Sequence, residues 1–325
     1  MKKFGVGEFC YKVDENWGLA LADWEDKQWG LRKVTGLATD QYDNVYILSR
    51  SDRPIIVADK EGNFLREMAK EYKEYFETPH GATLDAEGNL FCVDCTAHVV
   101  YKFSPEGKLL MTLGKRGCPS DTGAIIKPGE IAPDYRTVKR AAGPFNAPNN
   151  VAIAPNGDLY VADGYGNCCV HRFTSKGEYV MSWGAPGNLP GQFYMPHGIL
   201  VGPNNIVYVA DRENDRIQLF DLYGHFICSW DFIERPSHLV MGPDNLIYIC
   251  ECKRTDVFDQ SPSAIHIVTL EGENVAKIDN RIGHLHGEDY RAAHAICVDR
   301  EGSIYIGDVG QPPKGHFGLH KYVRV

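Results

Sequence analysis

No run of eighteen apolar residues occurs in this 325-residue chain, so the sequence offers no membrane-spanning helix. Basic residues are in the minority: 34 Lys and Arg stand against 43 Asp and Glu, a formal net charge of −9. A nucleic-acid surface needs Lys and Arg clustered on one face, so neither a nucleic-acid nor a membrane partner is expected. The opening residues Met1-Lys2-Lys3-Phe4-Gly5 lack the apolar core and small-residue cleavage site of a secretory leader. The expected location is therefore cytoplasmic, with a mature chain whose leader has been removed as the alternative.

A disulfide framework is also missing, although there are ten cysteines. Cys92, Cys95, Cys250 and Cys252 sit within or just after strand-like runs, and Cys168 and Cys169 are adjacent, as suits buried thiols in a reducing compartment. Cys92 and Cys95 form a CxxC, but a period of two points them to opposite faces of a strand, against a zinc knuckle or redox pair.

What is present is repetition. At 325 residues the chain exceeds the usual single-domain length, but 33 Gly and 18 Pro punctuate short apolar stretches throughout, as in the long all-β exceptions. Six copies recur, each an apolar strand, a Gly- or Asn-bearing corner, and an aromatic-led strand. The latter read Tyr46-Ile47-Leu48-Ser49, Phe91-Cys92-Val93-Asp94, Tyr160-Val161-Ala162-Asp163, Tyr208-Val209-Ala210-Asp211, Tyr248-Ile249-Cys250-Glu251 and Tyr305-Ile306-Gly307-Asp308. Corners such as Asp85-Ala86-Glu87-Gly88-Asn89 supply the positive φ a tight hairpin needs.

Four strands per repeat make a propeller blade. The expected fold is one all-β, six-bladed β-propeller domain over 1–325, with blades near 30–70, 78–114, 145–184, 193–232, 236–280 and 291–325. An N-terminal strand at 8–13 closes the ring and covers the last open edge. Residues 114–144 break the period; such a long loop is either a lid or binding loop or a surface insertion with no role.

At the start of the innermost strands the six residues are Thr35, His80, Asn149, His197, Ser237 and His294. Histidine recurs in alternate blades, and three-fold-related imidazoles would converge on the axis as a His₃ site for one divalent metal, with positions open to water or substrate. A lone histidine is more often a hydrogen-bonded core residue; three in symmetric register argue otherwise. His98, His171, His225, His266, His316 and His320 fall elsewhere in their repeats and read as surface or packing residues, with His238, His284 and His286 as spare candidates.

A second register, just past the second strand, reads Arg50, Cys95, Gly164, Arg212, Cys252 and Val309. Arg50 and Arg212 would form a clamp for a carboxylate or other oxyanion, and Tyr165, beside Gly164, would be an acid or base whose pKa the metal lowers. Alternatively the arginines pair with Asp52 and Glu213 and Tyr165 packs on a loop. The repeated Asp94, Asp163, Asp211 and Asp308 read as structural residues that bond groups within their own blades.

These residues carry a resemblance. The repeats resemble NHL repeats, and the chain from about residue 30 onward is similar to the peptidyl-α-hydroxyglycine α-amidating lyase domain of peptidylglycine α-amidating enzymes. The similarity is strongest over Phe145 to Phe220, through Asp163-Gly164-Tyr165-Gly166-Asn167, Leu189-Pro190-Gly191-Gln192-Phe193, Pro196-His197 and the run from Ala210-Asp211-Arg212-Glu213 to Gln218. The resemblance implies zinc on His80, His197 and His294, a tyrosine acting on the substrate hydroxyl at Tyr165, and active-site arginines at Arg50 and Arg212.

Departures bear on what else carries over. Ala295 stands where the family has a calcium-site aspartate and Ala292 where it has a methionine, which speaks against a structural calcium. Asn146, Gly166, Tyr208 and Leu219 stand where the family has two disulfides. With no fused monooxygenase, a bacterial-style relative acting on a smaller, anionic or polar molecule is expected. The competing readings are a lactonase-like metal-dependent hydrolase or hydratase, and a non-catalytic propeller that binds protein or RNA. Carboxylate and amide donors to calcium would mark the first, and a basic or aromatic exposed face the second.

Overall fold

The structure, a computed structural model, describes residues 4–14, 16–18, 21, 33–252, 263–279, 293–309 and 318–325. His284, His286, Ala292 and His316 lie outside the described residues. The fold class is the one expected, all-β with the six blades of a propeller. Among the described residues no helix is long and apolar enough to cross a membrane.

The strands fall into two compact units, Met1–Lys73 with Ser237–Val325, and Glu74–Pro236. In the first, β1 (Phe4–Val6) and β2 (Phe9–Asp14) precede a blade of β3 (Val34–Thr39), β4 (Val45–Ser49), β5 (Ile55–Ala58) and β6 (Phe64–Glu67). The second unit holds three blades. They are β7 (Pro79–Leu84), β8 (Leu90–Asp94), β9 (Val99–Phe103) and β10 (Leu109–Gly114); β11 (Pro148–Ile153), β12 (Leu159–Asp163), β13 (Cys169–Phe173) and β14 (Tyr179–Trp183); and β15 (Pro196–Val201), β16 (Val207–Asp211), β17 (Arg216–Phe220) and β18 (Phe226–Trp230). Back in the first unit come β19 (Pro236–Met241), β20 (Ile247–Glu251), β21 (Ala264–Val268) and β22 (Asn274–Asp279), then β23 (Ala293–Val298), β24 (Ile304–Asp308) and β25 (Leu319–Arg324).

The last blade has the order β1-β2-β25-β24-β23. The expected N-terminal strand is therefore there, with Tyr11 opposite Arg324 and Asp14 opposite Lys321, and β1 adds a fifth strand that the repeat pattern did not announce.

The aromatic that leads each second strand is buried in every blade: Tyr46, Phe91, Tyr160, Tyr208, Tyr248 and Tyr305. Each such ring contributes about 1.5–3 kcal/mol by leaving water, provided a tyrosine hydroxyl finds a partner. Tyr160 donates to the Leu222 carbonyl at 3.0 Å, Tyr248 to Asp244 at 2.8 Å and Tyr305 to Asp299 at 3.1 Å. Where the residue is Phe91, the Lys102 ammonium lies over the ring at 4.9 Å instead.

Three of the four repeated acids, Asp94, Asp163 and Asp211, behave as expected of structural residues. Asp94 accepts the Glu77 N–H at 2.7 Å, Asp163 the Asn146 N–H at 2.9 Å and Asp211 the Tyr194 N–H at 2.8 Å. In each blade that donor lies two residues before the inner strand, so one carboxylate ties the end of a blade's second strand to the entry of its first.

Candidate metal centre and active site

The inner strands begin with a flaw in their pairing. Register shifts fall between Val34 and Gly36, Pro79 and Ala82, Pro148 and Asn150, Pro196 and Ile199, and Ala293 and Ala295. A bulge leaves a residue out of the ladder and re-aims its side chain. The residue at or next to the shift is the second of the strand, where Thr35, His80, Asn149, His197 and His294 sit, all buried.

In the second unit, this register brings His80 and His197 together, 1% and 2% exposed, with ring centroids 4.8 Å apart. The His80 Nδ1 lies 2.7 Å from the Asn149 carbonyl. A carbonyl only accepts, so Nδ1 carries a proton, and in the neutral imidazole the lone pair is then on Nε2. The Tyr165 phenol oxygen lies 3.3 Å from that Nε2 and 3.5 Å from the His197 Nε2. Tyr165 thus faces both imidazoles.

Tyr165 reaches this place because glycine flanks it on both sides. A Cβ on Gly164 would strike the carbonyl oxygen of Pro196, the residue before His197, and a Cβ on Gly166 would strike the Asn146 side chain. The Gly164 N–H donates to Asn149 Oδ1 at 2.8 Å, and the Tyr165 N–H to the Ala147 carbonyl at 3.3 Å. That second bond corrects the gapless alignment. Arg50, Cys95 and Arg212 donate to Lys33, Thr78 and Met195, each just before an inner strand. In the third blade Tyr165 makes the equivalent bond, so Tyr165 rather than Gly164 is the counterpart of the arginines.

Arg212 makes the anticipated pair with Glu213 and also lies over the Tyr165 ring. Its Nε donates to Glu213 Oε1 at 3.0 Å, while its guanidinium carbon lies 5.8 Å from the centre of the Tyr165 ring. Glu213 also accepts from Arg235 at 2.5 and 2.6 Å and from the Tyr135 hydroxyl at 3.1 Å. Burial pushes the Glu213 carboxyl up, but Arg212, Arg235 and the Tyr135 hydrogen bond outweigh it and hold it below the usual range. Two positions away, burial dominates and Asp211 is pushed up to about 6.

The first unit carries the other two expected residues, each in its register. His294 is the second residue of β23, 4% exposed, with Nδ1 3.1 Å from the Thr35 carbonyl, the same bond to the next blade's equivalent residue that His80 makes. Arg50 follows β4, half-buried. The spare candidate His238 accepts the Ile296 N–H on Nδ1 at 3.4 Å, and burial pushes its pKa down to about 4, so it is a neutral packing residue.

A second cluster of metal-ligand types lies wholly inside one blade: Asp163, Cys169 and His171, all buried. His171 Nε2 lies 3.1 Å from Asp163 Oδ2 and 3.4 Å from Cys169 Sγ. The same link from third strand to acid recurs between Gln218 and Asp211 at 3.1 Å and His266 and Glu251 at 2.9 Å. Recurrence in blades of different composition marks it as structural.

Sequence reasoning missed Thr122 and Tyr135, in the insertion. Thr122, fully buried, donates to the Gly166 carbonyl at 2.6 Å. No repeat covers the insertion, so no register could single these residues out.

The family model for the NHL repeat matches residues 145–173 and 193–220. The chain carries NHL repeats. Peptidyl-alpha-hydroxyglycine alpha-amidating lyase 1 of Drosophila melanogaster is 35% identical over 115 residues, 34% of this chain and 18% of that protein. Peptidyl-glycine alpha-amidating monooxygenase B of Xenopus laevis is 26% identical over 326 residues, 88% of this chain and 34% of that protein. The chain thus spans about a third or less of the length of these relatives. Virginiamycin B lyase from Staphylococcus aureus shares the fold at a TM-score of 0.59 and 15% identity, over 97% of this chain and 100% of that one.

Proposed function

We propose that this chain is a zinc-type metal-dependent lyase that cleaves a small α-hydroxy amide or hemiaminal to a carbonyl product. The observation that carries the reading is the Tyr165 phenol oxygen within 3.3 and 3.5 Å of two imidazole nitrogens. The names of the amidating-lyase relatives support it.

The donor chemistry fits a divalent ion held by His80, His197 and His294, each offering one imidazole nitrogen. In His80 and His294 the Nδ1 is engaged by a backbone carbonyl, which fixes the tautomer and orients Nε2 as the ligand atom. Three imidazoles favour zinc or another borderline transition metal over calcium, and the buried Ala295 side chain has no oxygen to offer. A divalent ion bound there supplies Lewis-acid polarisation of a substrate oxygen.

The chain's own groups do the rest. Tyr165, as phenolate, takes the proton of the carbinol hydroxyl at its phenol oxygen. The carbinol oxygen becomes the carbonyl as the bond from carbon to nitrogen breaks, and the nitrogen leaves with the bonding pair and gains a proton. Arg212, steered by Glu213, and Arg50 orient an anionic group of the substrate.

Metal-loaded protein assayed against N-acyl-α-hydroxyglycines, ureidoglycolate-like hemiaminals and lactones tests this. Carbonyl release from a hydroxylated amide or hemiaminal is expected, with Tyr165→Phe lowering kcat by about 10²–10⁴ and leaving KM nearly unchanged. Lactone hydrolysis alone, or full turnover by Tyr165→Phe, contradicts it.

A further inference from the structure

We infer that the insertion at 114–144 is a positioning strap for the active site, with Thr122 setting Tyr165 and Tyr135 setting Arg212. The catalytic part of this inference rests on the lyase reading; the structural part does not.

The strap meets the Tyr165 turn from two sides. On one, Thr122 Oγ1 donates to the Gly166 carbonyl at 2.6 Å and accepts from Asn146 Nδ2 at 3.0 Å. On the other, Asn167 Nδ2 donates to the Ala142 carbonyl at 3.1 Å and Asn167 Oδ1 accepts the Ala142 N–H at 3.3 Å. The Thr122 carbonyl accepts the Lys139 N–H at 3.0 Å, which joins the two arms of the strap. Residues 166 and 167, next in the chain after Tyr165, are therefore fixed by the insertion. Glycine at 164 and 166 lets the chain bend there but gives the turn no rigidity of its own, so outside contacts must supply it.

The second foot is Tyr135, whose hydroxyl donates to Glu213 Oε2 at 3.1 Å while Glu213 Oε1 accepts from Arg212. A bridge between Ile125 and Asp134 closes the strap between the two feet. Both residues act through others: Thr122 bonds Gly166 and Asn146, and Tyr135 bonds Glu213.

Hydrogen exchange and steady-state kinetics on the full chain test this with Thr122→Val, Thr122→Ser and Tyr135→Phe. In Thr122→Val the Tyr165 and Gly166 amides, which donate to Ala147 and Asn146, should exchange about tenfold faster or more, and Thr122→Ser should restore protection. On the hydroxylated-amide substrate, Thr122→Val should lower kcat about tenfold with KM within about twofold, whereas Tyr135→Phe should raise KM several-fold with kcat nearly intact. Unchanged exchange in Thr122→Val, or a serine variant as impaired as the valine one, overturns the inference whatever the activity. Altered exchange in a protein that turns over no substrate leaves the strap standing and removes only the lyase reading.

Discussion

The end of the second strand and the start of the first lie side by side in every blade, yet they follow opposite rules. The second strand ends on an acid in most blades, and that acid bonds its own blade: Asp94, Asp163 and Asp211 each accept a backbone N–H from the segment entering the first strand. The residue at the bulge of the first strand changes from blade to blade, and two of its histidines bond the neighbouring blade, His80 to Asn149 and His294 to Thr35. Uniformity at one position marks what every blade needs to fold. Variation at the next marks what the whole molecule needs once.

Substitutions at the two positions should therefore part company. His197→Ala is expected to abolish measurable turnover and lower metal affinity by well over the 10–100-fold typical of residues that merely support a ligand, while the thermal midpoint moves little. Asp163→Ala strands the Asn146 N–H, Asn167 and His171 in the interior and should cost about 3–5 kcal/mol of stability, read as a large drop in Tm. A His197→Ala protein that unfolds like Asp163→Ala, or an Asp163→Ala protein that is stable but metal-free, breaks the distinction.

The smallest effect sharpens it by pH. Glu213 is held below its usual pKa by Arg212 and Arg235 against burial, so it contributes stability above its unfolded value of about 4.3 and loses that contribution as pH falls through the folded value. The stability gap between wild type and Glu213→Gln, from denaturant titrations at several pH values, should narrow below about pH 4. A gap that widens on acidification contradicts the assigned sign.

The blades were legible because each corner and aromatic strand announces itself locally, by a positive-φ residue and a period of two. The histidine register was legible for the same reason: gapless repeats make equivalent positions countable, and His80, His197 and His294 each proved to be the second residue of an inner strand. Counting failed by one residue at Gly164, because the Asn149 side chain captures its N–H and passes the shared backbone bond to Tyr165. It failed altogether at Thr122, Tyr135 and the Glu213 hub, whose contacts join residues 44, 78 and 22 apart in sequence with no period to align them.

X-ray absorption at the metal edge of zinc-loaded protein tests the central claim most directly. Three imidazoles on one ion predict a shell of nitrogen or oxygen scatterers at about 2.0–2.1 Å with imidazole multiple scattering and no sulfur. A sulfur scatterer near about 2.3 Å, pointing to Cys169 beside Asp163 and His171, would place the ion within a single blade and contradict the account.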